Sequence, residues 1–192
     1  MKKTETEPIP NDAALIIIDV QNGFDDPSWG RRNNPEAESN IAKLLDAWRH
    51  THRPLFHIQH SSRMPGSLLR PNSPGFEIKA AARPQAGEPV IQKNVNSAFI
   101  GTDLEARLKK NGFKTVVLAG LTTDHCVSTT ARMAGNLGFD TYVVSDATAT
   151  FDRTGPDGRS YKAEDIHAIN LASLKEEFAT VIDTETLLSR LK

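Results

Sequence analysis

Short runs of aliphatic residues, most of them followed by a segment whose apolar positions fall three and four apart, constrain this chain more than any other feature. The runs are Ala13–Ile18, Leu55–Ile58, Pro89–Gln92, Thr115–Ala119, Thr141–Val144 and Thr180–Ile182. Each is too short for a helix and apolar throughout or nearly so, as expected of strands buried on both faces. Between them, Pro35 opens a helix carrying Ile41, Leu44, Leu45 and Trp48 on one side. Further helices are predicted over Asp103–Lys110, Cys126–Leu137 and Ala163–Glu177, the last with Leu171, Leu174 and Phe178 on one face, and at the end of the chain around Leu187, Leu188 and Leu191. Repeated alternation of this kind predicts an α/β protein: three layers, α/β/α, around a six-stranded parallel sheet.

A length of 192 residues suits one domain spanning 1–192, with residues 1–11 as an N-terminal extension. A formal net charge of -1 gives no basic field, so neither nucleic acid nor an anionic membrane is an expected partner. The apolar run at Ala13 is too short to span a bilayer, and the residues before it lack a leader profile, so a cytoplasmic protein is expected. The single cysteine, Cys126, rules out an internal disulfide and a cysteine-rich zinc site.

Ligands of open parallel sheets collect outside the carboxyl ends of the strands. Three chemically capable residues leave strands at that rim. Asp19 follows the first run, Lys93 the third, and Cys126 stands where the helix after the fourth run begins. A helix N-terminus and a nearby ammonium both favour a thiolate. A neighbouring carboxylate can take the thiol proton, and free N–H groups of the Thr122–Cys126 turn can hold an oxyanion. Taken singly, each has a plainer role: a loop aspartate, a solvated lysine, a buried cysteine. Placed on one rim, they describe a nucleophile with its base.

Leu15-Ile16-Ile17-Ile18-Asp19-Val20-Gln21-Asn22-Gly23-Phe24, Lys93-Asn94-Val95-Asn96-Ser97-Ala98-Phe99 and Ala119-Gly120-Leu121-Thr122-Thr123-Asp124-His125-Cys126-Val127 resemble the three signature segments of the isochorismatase-like cysteine hydrolase superfamily. The similarity runs from about residue 12 to 185, and it implies a Rossmann-like sheet. It also implies a catalytic triad of Asp19, Lys93 and Cys126. A cis peptide at Leu121–Thr122 is implied too, with the N–H groups of Thr122 and Cys126 as the oxyanion hole. Isochorismatases proper lack the cysteine, so Cys126 argues against vinyl-ether hydrolysis. Nicotinamidases carry an Asp-x-His metal motif after the second strand, and Phe56-His57-Ile58-Gln59-His60-Ser61-Ser62-Arg63 has none. His57 and His60, three apart on a strand, face opposite sides, so no metal site is expected. What remains resembles the metal-free amidases, acting without a cofactor on small amide, N-carbamoyl or ureido substrates.

Around that site, His60, Arg63 and His125 are candidate substrate contacts, and Phe24, Trp29 and Phe99 candidate pocket walls. His60 and Arg63 serve equally as loop residues, Trp29 as core, and His125 as a cap or interface residue. His167 reads as a core histidine. The small residues Thr130, Ala131, Ala134 and Gly135 allow close helix packing, within the chain or in the homo-oligomer that the resemblance suggests. The loops 61–87 and 151–160 could be lids or interfaces. Two alternatives to an amidase stay open: an esterase using the same thiol, and a thiol redox or binding protein, which would oxidise without turnover. A dinucleotide-binding oxidoreductase fits poorly, because Asp19-Val20-Gln21 replaces a glycine-rich turn.

Overall fold

Aliphatic runs with no polar face can be buried only between two layers of helices, and Ala14–Ile18 and Thr115–Leu121 lie there, whereas Val90–Lys93, at the edge of the sheet, exposes Val90 and Gln92. The computed structural model describes residues 7–191. Strand β1 is Ala14–Ile18, helix α1 Ala37–His50, β2 Leu55–His60, β3 Val90–Lys93, α2 Leu104–Lys110 and β4 Thr115–Leu121. They are followed by α3 at Ser128–Asn136, β5 at Asp140–Ala149, the short pair β6 (Arg153–Thr154) and β7 (Ser160–Tyr161), α4 at Ala163–Leu174, β8 at Thr180–Ile182 and α5 at Thr184–Ser189. The main sheet has six strands in the order β3-β2-β1-β4-β5-β8, and every pairing in it is parallel.

Period-two alternation along β1 divides the core. Ala14, Ile16 and Ile18 pack toward Leu104, Leu108, Ala131, Ala134, Leu171 and Leu174 of α2, α3 and α4. Leu15 and Ile17 pack toward Ile41, Leu44, Leu45 and Trp48 of α1 and Leu187 of α5. The small residues of α3 therefore serve the chain's own core: Ala131 and Ala134 are buried, and Thr130 Oγ1 accepts a bond from Ala98 N at 3.0 Å. Because β2 and β3 are added on one side of β1 and β5 and β8 on the far side of β4, the connections diverge between β1 and β4. That divergence opens a crevice at the carboxyl ends of these two strands.

Several boundaries differ from the sequence expectation. Strand β5 runs to Ala149 because its pairing with β4 resumes beyond an irregularity, with Thr148 and Ala149 opposite Gly120 and Leu121; Ser145 and Asp146 fall in that irregularity, where Asp146 Oδ1 accepts from Thr184 N and Oγ1 at 2.8 and 2.7 Å at the entry to α5. Helix α4 stops at Leu174 rather than Glu177, because Glu176 adopts a left-handed φ of 69° and turns the chain back, with Phe178 N and Ala179 N both donating to Leu174 O. Of the N-terminal extension expected over residues 1–11, residues 1–6 lie outside the described residues. Ile9 is already buried in the α1/α5 layer and bridges Leu191. Among the described residues no helix is long and apolar enough to cross a membrane.

Candidate active site

The crevice is shaped by backbone before any side chain enters it. Asp19 leaves β1 with a left-handed φ of 51°, a conformation aspartate tolerates better than most residues, and its N–H donates to Ile58 O at 2.9 Å. Opposite it, Gly120 of β4 pairs with Ile18 at a φ of 130°. A Cβ there would lie 2.0 Å from Ile18 O, so only glycine lets the two strands approach at this point. The peptide bond Leu121–Thr122 is cis. Thr123–Val127 then forms a π-helical turn, in which His125 N and Val127 N both donate to Thr122 O, at 3.2 and 3.1 Å. Cys126 therefore sits inside this turn, two residues before α3, and does not open the helix.

Lys93, the last residue of β3, is paired in register with His60, the last of β2. Its Nζ lies 2.5 Å from Asp19 Oδ2, 3.1 Å from His60 Nδ1, 3.1 Å from Val95 O and 3.3 Å from Cys126 Sγ. Asp19 is 0% exposed, Lys93 2% and Cys126 7%, so the three are withdrawn from water together. Asp19 Oδ1 is buried and has no hydrogen-bond partner. Thr122 Oγ1, next to the turn, is likewise buried and unpartnered.

The electrostatics correct one expectation. A helix N-terminus and a lysine would lower the thiol pKa. Burial pushes the Cys126 thiol up instead, the Asp19 carboxylate adds to the rise, and Lys93 opposes both without overcoming them. The physical reason is that Lys93 is already neutralised by Asp19, so little net positive charge is left to offset desolvation. The resting sulfur is a thiol beside a carboxylate with a free oxygen, which is the arrangement of a nucleophile deprotonated as it attacks.

The remaining residues fall into distinct places. His60 adjoins the cluster, and burial followed by the Lys93 charge lowers its pKa, against a smaller opposing effect of Asp19. His57 lies elsewhere, with Nε2 2.9 Å from Glu88 Oε2. Arg63 is exposed at the end of the strand beyond His60, where its Nε and Nη2 donate to the Asn94 amide oxygen at 3.2 and 2.7 Å. His125 is exposed beside Asp124, at 3.5 Å. Phe24, Trp29 and Phe151 form an aromatic group with ring centroids 5.1 to 6.2 Å apart, packed with Leu121 just before the cis bond. Trp29 is the half-buried member of that group. Phe99 stacks on Phe139 at 5.9 Å in the core layer that also holds Cys126. His167 packs behind the turn, its Nδ1 2.8 Å from Thr123 Oγ1.

Four contributors escape a reading of strand ends alone. Gln21 is fully buried; it accepts from His60 N at 2.8 Å and donates to His60 O and Phe76 O at 3.1 and 2.9 Å, locking the end of β2 to β1. Asn96 brings Oδ1 to 3.8 Å from Cys126 Sγ. Asp124 accepts from Thr150 Oγ1 at 2.5 Å and from Arg153 Nε at 2.7 Å, tying the π turn to the residue after β5 and to β6. Val95 offers only its carbonyl, which its side-chain type does not mark. All four lie in the signature segments, and their position there was the available signal.

Comparison with known proteins points to one family. A family model described as Isochorismatase domain matches residues 13–186. An uncharacterized isochorismatase family protein of Bacillus subtilis, YrdC, is 53% identical over 176 residues, covering 92% of this chain and 94% of its own. Nicotinamidase 3 of Arabidopsis thaliana is 30% identical over 202 residues, covering 97% of this chain and 93% of its own. A crystal structure from Chromobacterium violaceum, assigned to the isochorismatase family, superposes with a TM-score of 0.92 at 45% identity, covering 95% of this chain and 96% of that one.

Proposed function

Because this chain belongs to the isochorismatase family and is a hydrolase of that family, we propose that it cleaves a C–N bond of a small amide, N-carbamoyl or ureido substrate, with Cys126 as nucleophile. One observation carries the reading: the Lys93 ammonium bridges Asp19 Oδ2 and Cys126 Sγ in a buried site, while Asp19 Oδ1 is left without a partner. Support from the comparisons comes through the relative named a nicotinamidase, whose name specifies an amide substrate.

In this mechanism Asp19 Oδ1 accepts the thiol proton as Sγ bonds to the carbonyl carbon. The carbonyl electron pair moves onto oxygen, which the N–H groups of Thr122 and Cys126 hold. Collapse of the tetrahedral intermediate breaks the C–N bond, and the departing amine or ammonia takes the proton from Asp19. Water then adds to the thioester, losing its proton to Asp19, and the acid product leaves as sulfur recovers that proton. Lys93 holds Asp19 in place throughout and faces the negative charge that passes through sulfur. Contact with the rest of the substrate is assigned to the half-buried Trp29 and the exposed Arg63 and His125, on their exposure and their place in or near the matching segments. These steps use no cofactor.

The test is a panel of small amides and N-carbamoyl compounds with matched esters, assayed on wild type and Cys126→Ala. Turnover of an amide by wild type and its loss by at least about 1000-fold in the variant is the expected result. Turnover of esters alone would move the assignment to the ester reading. Activity retained in the variant would remove Cys126 from the mechanism.

A further inference from the structure

Three donors of different chemistry converge beside β1. A carboxylate oxygen of Asp19, a ring nitrogen of His60 and Sγ of Cys126 lie within 4.8 Å of one another. Between them stands a cation, the Lys93 ammonium, 2.5, 3.1 and 3.3 Å from Asp19 Oδ2, His60 Nδ1 and Cys126 Sγ. Oxygen, imidazole and thiolate are also the donors that hold zinc, at about 2.0–2.3 Å. The side chains need only close up by about an ångström to reach one ion at those lengths.

A second observation points the same way. Asp19 Oδ1 is buried with no partner, so this carboxylate has an oxygen free to bind a cation once the ammonium moves from the centre. His60 is the least buried of the three, with 16% of its side chain exposed, and it marks the side from which an ion can enter. His57 does not contribute, since it turns away to Glu88.

We infer that Asp19, His60 and Cys126 form a binding site for a thiophilic divalent cation of the zinc class, which Lys93 occupies in the ion's place. When the ion binds, it bonds to Asp19, to His60 Nδ1 and to Sγ. The thiol proton goes to solvent, and the ammonium withdraws from the centre, still protonated, toward the Val95 carbonyl it already contacts. Metal and catalysis exclude each other, because both need the Asp19 carboxylate and the Cys126 sulfur. The ion is thus a reversible inhibitor whose affinity Lys93 sets by charge repulsion. The inference concerns metal binding alone, so it stands or falls separately from the choice of substrate.

Cobalt(II) and zinc are the probes. Lys93→Ala should bind cobalt at least about 100-fold more tightly than wild type and show a thiolate-to-cobalt charge-transfer band. Adding Cys126→Ala should abolish the band, and adding His60→Ala should weaken binding by about 10- to 100-fold. Wild type supplies the second arm, independent of whether Lys93→Ala folds. Zinc at up to about 1 mM, a weak-binding limit, should slow iodoacetamide alkylation of Cys126 at least ten-fold, a chelator should restore the rate, and His60→Ala should remove the protection. Alkylation of wild type unaffected by zinc overturns the inference. So does cobalt binding to a folded Lys93→Ala that is no tighter than to wild type or gives no thiolate band.

Discussion

Lys93 has four neighbours able to accept a hydrogen bond and three protons to give them. The shortest contact, to Asp19, fixes the carboxylate, and His60 Nδ1 and Cys126 Sγ compete for what Asp19 and Val95 leave. Removing one charge of a fully buried pair strands the other. Asp19→Asn and Lys93→Met should therefore each destabilise the protein by about 3–5 kcal/mol in urea unfolding. The double variant should lose less than the sum of the two, because neither charge is then left alone. Additive losses would mean that the pair is not a stabilising unit. Both single variants should also lose turnover, Asp19→Asn because Oδ1 is the only proton acceptor the mechanism provides.

At the scale of elements, the site depends on how closely β1 and β4 approach and on what holds the π turn. Gly120→Ala places a methyl 2.0 Å from Ile18 O at a φ of 130°. Overpacking of this kind costs about 1–3 kcal/mol before backbone strain is added, so the melting temperature should fall by about 5–10 °C. A melting temperature within about 2 °C of wild type would show that the strands can separate there at little cost. Asp124→Asn weakens the tie to Thr150 and Arg153 and should lower kcat about ten-fold or more while KM changes little, since Asp124 positions the nucleophile's turn and touches no substrate.

The aliphatic runs made the six sheet strands legible: burial on both faces leaves no polar position to obscure β1 and β4, while the edge strand β3, exposed at Val90 and Gln92, was marked only by its short apolar core. Asp19, Lys93 and Cys126 were legible as residues at strand ends. The π turn was not, since Thr123–Val127 has the composition of any helix start and its winding is set by contacts from Thr150, Arg153 and His167. The direction of the thiol shift was hidden for a related reason. It depends on whether Lys93 is free or already paired, and sequence spacing does not carry that information. Phe99 shows the limit for apolar residues: it belongs to a signature segment, yet its ring lies against Phe139 in the core.

Across the whole molecule, buried ion pairs set the response to acid. Burial opposes ionisation of Glu38, yet Arg32 and Lys79 outweigh it and hold its pKa at about 2. Glu88, bonded by Arg49, Gln85 N and His57, and Asp124, bonded by Arg153 and Thr150, also overcome burial and sit at about 2. Carboxylates depressed in this way contribute stability that is complete above their unfolded pKa, near 4.5 for Glu and 3.8 for Asp, and lost as pH falls through about 2. His57 and His167 are lowered chiefly by burial from 6.5, so the unfolded chain binds more protons than the native one just below that pH. Their effect has the same sign and begins earlier. Urea unfolding should show stability declining from about pH 6.5 and falling more steeply below about pH 4.5. Stability constant from pH 7 to pH 3 would contradict the assignment of these networks.

With Cys126 as the proposed nucleophile, its sulfur carries the acyl group of the substrate during C–N cleavage. The most direct measurement is intact mass spectrometry of enzyme quenched during turnover of an amide, with the adduct located by peptide mapping and Cys126→Ala as control. An acyl-sized mass increment on Cys126, labile to hydroxylamine and absent from the variant, is the predicted result. Turnover with unmodified Cys126 throughout, or with equal rate in the variant, would contradict it.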